Sequence, residues 1–382
     1  MGRKCHDSSW LVLIAACLAA CTGDESHSVD LQAAISAALD REMSDHPEVR
    51  SAAVQVHLLS RGIVARASAG EADTTAHTAM TEDTPIRTAS ITKLMTAVMV
   101  MQLIEEGRLA LDSTLERLDG VIPLDRLHVI GNVSSGRTIT VEELLRHQSG
   151  LADYFFDGPV GEDGLTPYLH ELVTGPPVVR TASELVLWTI ANLPPVAPPG
   201  TEYHYADTNY VLLGLLIESV EQMPLPEIYR TRLFSPLGMS SAHLECYEPA
   251  PAGGVPAHTF YGDLDVTGLC LGEWGGGGIV ATLGDVDRFL AALSRGDVFQ
   301  SRATLDTMIP ADEIQPGLGY GLGITLRRHA GMEFWGHDGS FGCFAYYLPG
   351  TDAIVVATVN QVNTDVAYLL RDLVLAAQGA GQ

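Results

Sequence analysis

The segment Arg87–Leu103 constrains the fold most, because it places two polar residues at the start of an almost entirely apolar run. Ser90 and Lys93 stand three residues apart, and Leu, Met, Ala and Val dominate the sequence from there to Leu103. Such a run predicts a buried helix, which Gly107 ends. Residues three apart lie on one helix face, so we expect the Lys93 amine to lie beside the Ser90 hydroxyl.

Lysine is almost absent from the rest of the chain, which makes Lys93 conspicuous. Of the 22 lysine and arginine residues, only Lys4 and Lys93 are lysines. Arginine stays protonated in proteins, whereas a buried lysine can lose its proton and act as a base. The sequence therefore predicts a nucleophilic Ser90 that Lys93 activates.

Length and charge limit the remaining possibilities. The 382 residues, 46% of them hydrophobic, suffice for one large domain or two with a substantial core. The net charge of −25 argues against nucleic acid or an anionic membrane surface as a partner.

The N-terminus carries a predicted export signal. Arg3 and Lys4 precede the apolar run Trp10–Ala20, which is too short to span a bilayer. We predict a signal peptide over residues 1–20 and a tether over residues 21–29. Leu18-Ala-Ala-Cys21 resembles a bacterial lipobox, which predicts a lipoprotein of the periplasm or cell envelope, lipidated at Cys21 and attached to the membrane only there. Plain signal-peptidase cleavage is the alternative.

Three cysteines fall within the predicted globular part: Cys246, Cys270 and Cys343. In an oxidising compartment Cys246 and Cys270 could pair and leave Cys343 as a free thiol. The sequence leaves this pairing open.

Strand patterns lie at both ends of the chain and helical patterns lie between them. The predicted strands are 53–59, 63–69, 333–335, 344–348 and 353–360. We predict an α+β domain over residues 30–382, with one antiparallel sheet from both termini, flanking helices and a mostly helical inserted subdomain at about 94–255. The glycine run Trp274–Gly278 is expected to be flexible backbone.

Two further motifs follow the Ser–Lys pair. Tyr205-Ala-Asp207 comes after a Pro-Gly turn, and His337-Asp-Gly-Ser340 lies on a predicted C-terminal strand. A Ser–Lys nucleophile needs a proton shuttle toward the leaving group and donors for the developing oxyanion. These two motifs are placed to supply them.

In this order the motifs resemble those of the penicillin-recognising serine hydrolases, in the branch of class C β-lactamases, serine D-Ala-D-Ala carboxypeptidases and family VIII-type esterases. That family carries S-x-x-K, Y-x-N and K/H-T-G. The corresponding segments here are Ser90–Lys93, Tyr205–Asp207 and His337–Gly339. The resemblance implies a β-lactamase/transpeptidase-like fold and a reaction that needs no cofactor or metal.

The resemblance also implies a role for each motif residue. Ser90 would be acylated, and Lys93 and Tyr205 would move its proton, with the choice of base left open. Backbone N–H groups of Ser90 and Ser340 would form the oxyanion hole. Gly339 would let its strand approach the substrate.

Two positions depart from the family pattern. Asp207 stands where the family has Asn, and an ionised carboxylate beside Lys93 would favour the ammonium form. Asp338 replaces a Thr whose hydroxyl helps to hold the substrate carboxylate, and His337 replaces a lysine. Either Asp338 points away, so that Ser340 or the pair Arg327–Arg328 binds the substrate, or the substrate end is uncharged or cationic.

We therefore predict an exported serine hydrolase, foremost a D-Ala-D-Ala carboxypeptidase-like peptidase acting on peptidoglycan stem peptides. An esterase or amidase, a β-lactamase and an inactive cell-wall binding module are the alternatives. No H-E-x-x-H motif for a zinc protease occurs. His147 is expected to be an ordinary surface or capped histidine, and Tyr320 a packing residue of the core or rim.

Overall fold

The computed structural model describes residues 24–271, 273–329, 331–362 and 364–381. The helices are α1 (Asp24–Asp45), α2 (Ile91–Glu105), α3 (Leu124–Leu127), α4 (Val141–Leu145), α5 (Pro167–Thr174), α6 (Ala182–Asn192), α7 (Asp207–Glu221), α8 (Leu225–Tyr229), α9 (Ser235–Leu237), α10 (Trp274–Gly277), α11 (Leu283–Arg295), α12 (Arg302–Met308) and α13 (Ala367–Gly381). The strands are β1 (Ser51–Leu58), β2 (Ile63–Asp73), β3 (Thr78–Ala79), β4 (Ile86–Arg87), β5 (Val129–Ile130), β6 (Val133–Ser134), β7 (His243–Leu244), β8 (Phe260–Tyr261), β9 (Leu264–Asp265), β10 (Ile279–Ala281), β11 (Leu318–Tyr320), β12 (Thr325–His329), β13 (Met332–Gly339), β14 (Cys343–Leu348), β15 (Ala353–Thr358) and β16 (Gln361–Val362).

An eight-stranded sheet joins the two ends of the chain. Its order is β11-β12-β13-β14-β15-β1-β2-β3, and the β1–β15 pairing places Val54 opposite Ala357. The long strands pair antiparallel, and every residue of β15 is buried because both faces of the sheet are covered. The predicted fold class, an α+β domain with an antiparallel sheet built from both termini, is confirmed.

Helices cover the sheet on both faces. Helices α1 and α13 pack on one face, where Ile35 and Leu373 join Val54 in one apolar core. Helices α2 and α11 lie on the other face, where Met95 and Phe289 belong to a larger core. Helices α3–α9 fall within the segment predicted as a helical insertion, and the buried side chains of α3–α8 extend this larger core.

The N-terminal helix begins earlier than expected. Helix α1 starts at Asp24, whereas the sequence pattern predicted a tether as far as residue 29. Each residue added to an existing helix gains a hydrogen bond without a new nucleation cost, which explains why polar residues extend it. The predicted signal peptide over residues 1–20 and the predicted lipidation site Cys21 lie outside the described residues. Within those residues, no helix combines the length and the apolar character needed to cross a bilayer.

The glycine run is a buried helical turn, so the expectation of flexible backbone was wrong. Helix α10 packs between α2 and α7. A Cβ on Gly275 would lie 2.9 Å from the carbonyl oxygen of Tyr210, and one on Gly214 would lie 2.7 Å from Trp274 Nε1. Glycine is therefore used here to let two helix backbones approach closely.

Candidate active site

A tight turn between β4 and α2 presents Ser90 at the start of the helix. Ala89 has φ of 45°, a left-handed conformation that is rare for residues with a side chain. The turn is closed by hydrogen bonds from the N–H of Ile91 to Thr88 O at 3.1 Å and from the N–H of Thr92 to Ala89 O at 2.9 Å. Ser90 remains partly exposed at this helix end, whereas the residues that follow it in α2 are buried.

Lys93 is completely buried directly beneath Ser90. Its Nζ donates to Ser90 Oγ at 2.9 Å and to the carbonyl oxygen of Gly276 at 2.7 Å, and it forms an ion pair with Asp207. An ammonium has three N–H donors, so these three acceptors satisfy it fully. The contact between amine and hydroxyl that the three-residue spacing predicted is present.

Helix α10 makes room for the carboxylate beside Lys93. A Cβ on Gly276 would lie 3.1 Å from Asp207 Oδ1. Asp153, a buried residue that the sequence analysis did not single out, lies near Asp207. Burial raises the pKa of Asp153 well above its usual range, and the charge of Asp207 raises it further.

Tyr205 lies against the same pair. The Lys93 Nζ is 4.9 Å from the centroid of the Tyr205 ring. Burial raises the pKa of Tyr205 well above its usual value, Asp207 adds to this increase, and the hydrogen bond with Ser90 opposes it. The phenol is therefore protonated when the site is empty.

His147 supports Tyr205 from behind and is fully buried, so of the two expected positions, surface or capped, the surface position was wrong. The two rings contact each other at an angle of 30°, with centroids 4.2 Å apart. His147 Nδ1 accepts hydrogen bonds from the N–H of Ala206 and from Asn209 Nδ2, both at 3.1 Å. Nε2 must then carry the ring proton, and it lies 3.1 Å from Tyr320 Oη.

Tyr320 connects His147 to the third motif. Because its oxygen accepts from His147, its own proton points to His337 Nε2 at 3.1 Å. His337 Nδ1 then donates to the carbonyl oxygen of Asp338 at 2.6 Å. A chain of neutral hydrogen bonds thus joins the Tyr205 motif to the His337 motif, and Tyr320 is its central link rather than a simple packing residue.

The buried, neutral His337 in this series of hydrogen bonds predicts that acid destabilises the protein. Burial, with a smaller contribution from Lys93, lowers the pKa of His337 to about 4. The unfolded histidine titrates near 6.5, so between pH 6.5 and 4 the unfolded state binds the extra proton and stability falls as pH falls. We expect the free energy of unfolding to fall by about 3 kcal/mol over this window through His337. Urea unfolding at pH 7 and pH 4.5 measures this loss, and His337→Asn should reduce it; an unchanged pH dependence in this variant would contradict the assignment.

Asp338 points away from the site and is already paired. Its carboxylate forms an ion pair with Arg327 and accepts a hydrogen bond from Tyr346 Oη at 2.7 Å. Arg328 pairs with two other carboxylates, the nearer one Glu333 at 2.9 Å. The sequence predicted that, if Asp338 points away, Ser340 or the pair Arg327–Arg328 binds the substrate. Asp338 does turn away, but both arginines are paired with carboxylates.

Gly339 lets its strand pack on the turn that carries Ser90, and its expected approach to the substrate stays a prediction. A Cβ on Gly339 would lie 2.8 Å from Thr88 O, 3.0 Å from the Ala89 Cβ and 2.3 Å from Cys343 Sγ. Strand β13 can therefore pack directly on the turn that carries Ser90 only with glycine at this position. Ser340, the next residue, lines the cleft together with Ser90.

A cleft of about 680 Å³, including its open mouth, leads away from Ser90. Its polar end is formed by Ser90, Asp207, Glu273 and Ser340, and its other lining residues are mostly aliphatic or aromatic. They come from three segments, 155–173, 261–271 and 341–362. The cleft thus combines the Ser90 hydroxyl and a few other polar groups with a large apolar wall, as is typical of sites for small molecules.

A buried arginine and a disulfide hold one wall of this cleft. Arg87 Nε donates to Glu245 at 2.7 Å, and the same guanidinium donates to the carbonyl oxygens of Val266 at 3.0 Å and Thr267 at 2.6 Å. A disulfide joins Cys246 to Cys270, which answers the question that the sequence left open. The strand before Ser90 is therefore tied to the loop that lines the cleft.

Comparisons with known proteins agree with this site. A family model described as Beta-lactamase matches residues 39–379. Penicillin-binding protein 4 of Amycolatopsis lactamdurans is 26% identical over 339 residues, covering 80% of this chain and 77% of that protein. The structure of a D-stereospecific amidohydrolase from Streptomyces sp. is 26% identical with a TM-score of 0.73, over 89% of this chain and 97% of that one.

A D-amino acid amidase from Ochrobactrum anthropi SV3, solved with L-phenylalanine amide, has the same fold. It is 24% identical with a TM-score of 0.75, over 92% of this chain and 100% of that one. The family model covers nearly the whole described chain, and Ser90, which contacts Lys93, lines the apolar cleft. The chain therefore belongs to the beta-lactamase family, within the superfamily of serine hydrolases that includes the penicillin-binding proteins.

Proposed function

We propose that this protein hydrolyses amides or esters of acids with an apolar side chain, through an acyl-enzyme on Ser90. The observation that carries this proposal is the 2.9 Å contact between Ser90 Oγ and the buried Lys93 Nζ at the end of an apolar cleft. An amine this close can take the hydroxyl proton as the serine oxygen attacks.

Lys93 is the base in this proposal. When neutral, the amine keeps two N–H bonds, which Asp207 and the Gly276 carbonyl accept. Its lone pair then faces Ser90 Oγ, the third neighbour. The family has Asn at position 207, and its amide oxygen can accept the same hydrogen bond as the Asp207 carboxylate. The change from Asn to Asp therefore preserves the orientation of the Lys93 amine.

Tyr205 is the acid that protonates the leaving group. Burial raises its pKa well above the usual value, so the phenol holds its proton and is a poor base. A protonated phenol beside Ser90 can donate to the departing nitrogen or oxygen, and the Lys93 ammonium formed in the first step can return a proton to it. Backbone N–H groups of Ser90 and Ser340 would stabilise the oxyanion.

The charges around the cleft favour substrates without a terminal carboxylate. Arg327 is paired with Asp338, Arg87 with Glu245, and Lys93 with Asp207. A substrate carboxylate would therefore meet no unpaired cation among these groups. The similarity to a D-stereospecific amidohydrolase supports an amide or ester substrate.

A D-Ala-D-Ala carboxypeptidase-like peptidase, foremost among the sequence-based predictions, is the second candidate. The similarity to a penicillin-binding protein over 80% of the chain favours it.

Export as a lipoprotein of the cell envelope remains part of the proposal, because it rests on the sequence around Cys21. Metabolic labelling with palmitate, lost in Cys21→Ser, tests it.

Substrate comparison separates these functions. We expect rapid hydrolysis of p-nitrophenyl 3-phenylpropionate and of phenylalanine p-nitroanilide, abolished in Ser90→Ala. Stable labelling of Ser90 by a fluorescent penicillin, with little ester hydrolysis, would favour the peptidase instead. Nitrocefin turnover would indicate a β-lactamase, and absence of all these reactions would refute the proposed function.

The disulfide should matter most for bulky substrates. Removing it with Cys246→Ala and Cys270→Ala frees the wall of the cleft, so we expect KM for p-nitrophenyl 3-phenylpropionate to rise by roughly tenfold. KM for p-nitrophenyl acetate should change much less, because the acetyl group does not reach that wall. The cross-link closes a loop with a sequence separation of 24, so we also expect a loss of about 3 kcal/mol in stability. Equal changes in both KM values would contradict this role.

A further inference from the structure

Glu273 is a carboxyl group of the cleft that the proposed mechanism leaves unused. Its side chain is half-buried and lines the cleft together with Ser90. No hydrogen bond to its carboxyl group is formed within the part of the chain that the structure describes. The carboxyl group is therefore free to accept a hydrogen bond or to pair with a cation of a ligand in the cleft.

The backbone is shaped to place this carboxyl group. A Cβ on Gly277 would lie 2.8 Å from both Cδ and Oε1 of Glu273. The carboxyl group therefore folds over Gly277, one residue beyond the glycine that faces Asp207. Two adjacent glycines of α10 thus make room for two carboxyl groups, one that binds Lys93 and one that faces the cleft.

The nearby charges leave Glu273 without a cation of its own. Burial raises its pKa to about 8; Asp207 and Glu245 contribute in the same direction, and Arg87 and Lys93 oppose them. Arg87 is paired with Glu245, and Lys93 with Asp207. An empty cleft therefore holds a mostly protonated Glu273 at neutral pH, which a ligand cation would convert to the carboxylate.

We propose that Glu273 binds a primary ammonium group on the acyl portion of the substrate. Given the proposed function, on which this inference rests, the substrates are amides or esters of amino acids that carry a free amine and a bulky apolar side chain. The amine would pair with Glu273, the side chain would lie on the apolar wall, and the carbonyl carbon would face Ser90. Acids whose amine is acylated, as inside a peptide, would bind less well.

Binding to a Ser90→Ala variant tests this inference without turnover. Calorimetry compares phenylalanine amide with 3-phenylpropionamide, which has the same skeleton without the amine. We expect the amine to bind roughly tenfold or more tightly. At pH 6.5 the α-amine is charged, with a typical pKa of about 7.7, while Glu273 is protonated, so binding should release about one proton per ligand. Repeating the calorimetry in buffers of different ionisation enthalpy measures the number of protons released. Binding of 3-phenylpropionamide should release no proton.

Two variants in the Ser90→Ala background assign the effect to Glu273. Glu273→Gln should remove both the preference for the amine and the proton release. Gly277→Ala keeps the charge but displaces the carboxyl group, so it should weaken the preference. Glu202→Gln, which removes an exposed carboxylate outside the cleft, should change neither.

Equal affinity for the two amides, or a preference that persists in Glu273→Gln, would overturn the inference. Failure of the proposed function has a different signature, because wild-type protein would then not hydrolyse p-nitrophenyl 3-phenylpropionate at all. The binding measurement keeps its meaning in that case, since it does not depend on catalysis.

Discussion

Replacing Lys93 with arginine is expected to lower kcat/KM for p-nitrophenyl 3-phenylpropionate by roughly 10³-fold or more. The guanidinium can keep the charge opposite Asp207 but cannot release a proton near neutral pH. Ser90 would then lack a base, although the apolar cleft would still bind substrate. Stopped-flow measurement of p-nitrophenol release gives the acylation rate directly.

A second variant separates lost chemistry from lost structure. Lys93→Ala leaves a cavity beside Ser90, and millimolar methylamine should restore part of its activity if the missing group is an amine base. Circular dichroism and thermal unfolding show whether each variant is folded. Retention of more than about a tenth of wild-type acylation in folded Lys93→Arg would refute Lys93 as the base.

Tyr205→Phe should distinguish amide from ester substrates. An anilide nitrogen needs a proton as it leaves, whereas p-nitrophenolate is stable without one. If Tyr205 is the acid, we expect phenylalanine p-nitroanilide hydrolysis to fall by roughly 10²–10³-fold and p-nitrophenyl ester hydrolysis to fall much less. Parallel kcat/KM measurements on the two substrates report this difference.

Tyr203→Phe is the matched control for this experiment. Tyr203 is also half-buried near the site, and its ring lies against His147 and Tyr320, with centroids 6.1 and 5.7 Å away. The Tyr203→Phe substitution should change the rates of anilide and ester hydrolysis by similar, small factors. Equal and large losses on both substrates in Tyr205→Phe would show instead that Tyr205 takes the proton from Ser90.

The parts of this molecule that depend on local geometry could be predicted from the sequence. The Ser90–Lys93 contact follows from helix periodicity alone, since residues three apart share a face. Strand-like segments at both ends also identified the sheet, because apolar alternation and turn residues are local signals.

The supporting groups of the site could not be predicted in this way. His147 and Tyr320 are 173 residues apart, and only the folded chain brings their side chains together. Asp153 and Glu273 carry no sequence pattern, because burial and neighbours far along the chain determine their protonation. The glycine run was misjudged since glycine favours flexible loops and close helix packing alike.

The pairing of Asp338 shows a third limit. The sequence correctly raised the possibility that this residue turns away from the substrate. Its partner Arg327 lies on the neighbouring strand, where Arg327 is opposite Phe334. Without the strand register, the sequence cannot tell an arginine that binds substrate from one that neutralises an aspartate.

Trapping the acyl-enzyme tests the central claim most directly. Wild-type protein turning over p-nitrophenyl 3-phenylpropionate would be quenched in acid within milliseconds and examined by intact and peptide mass spectrometry. We expect one 3-phenylpropionyl group per chain, located on Ser90 and absent from Ser90→Ala. An acyl group on another residue, or an active enzyme that carries none at any quench time, would contradict it.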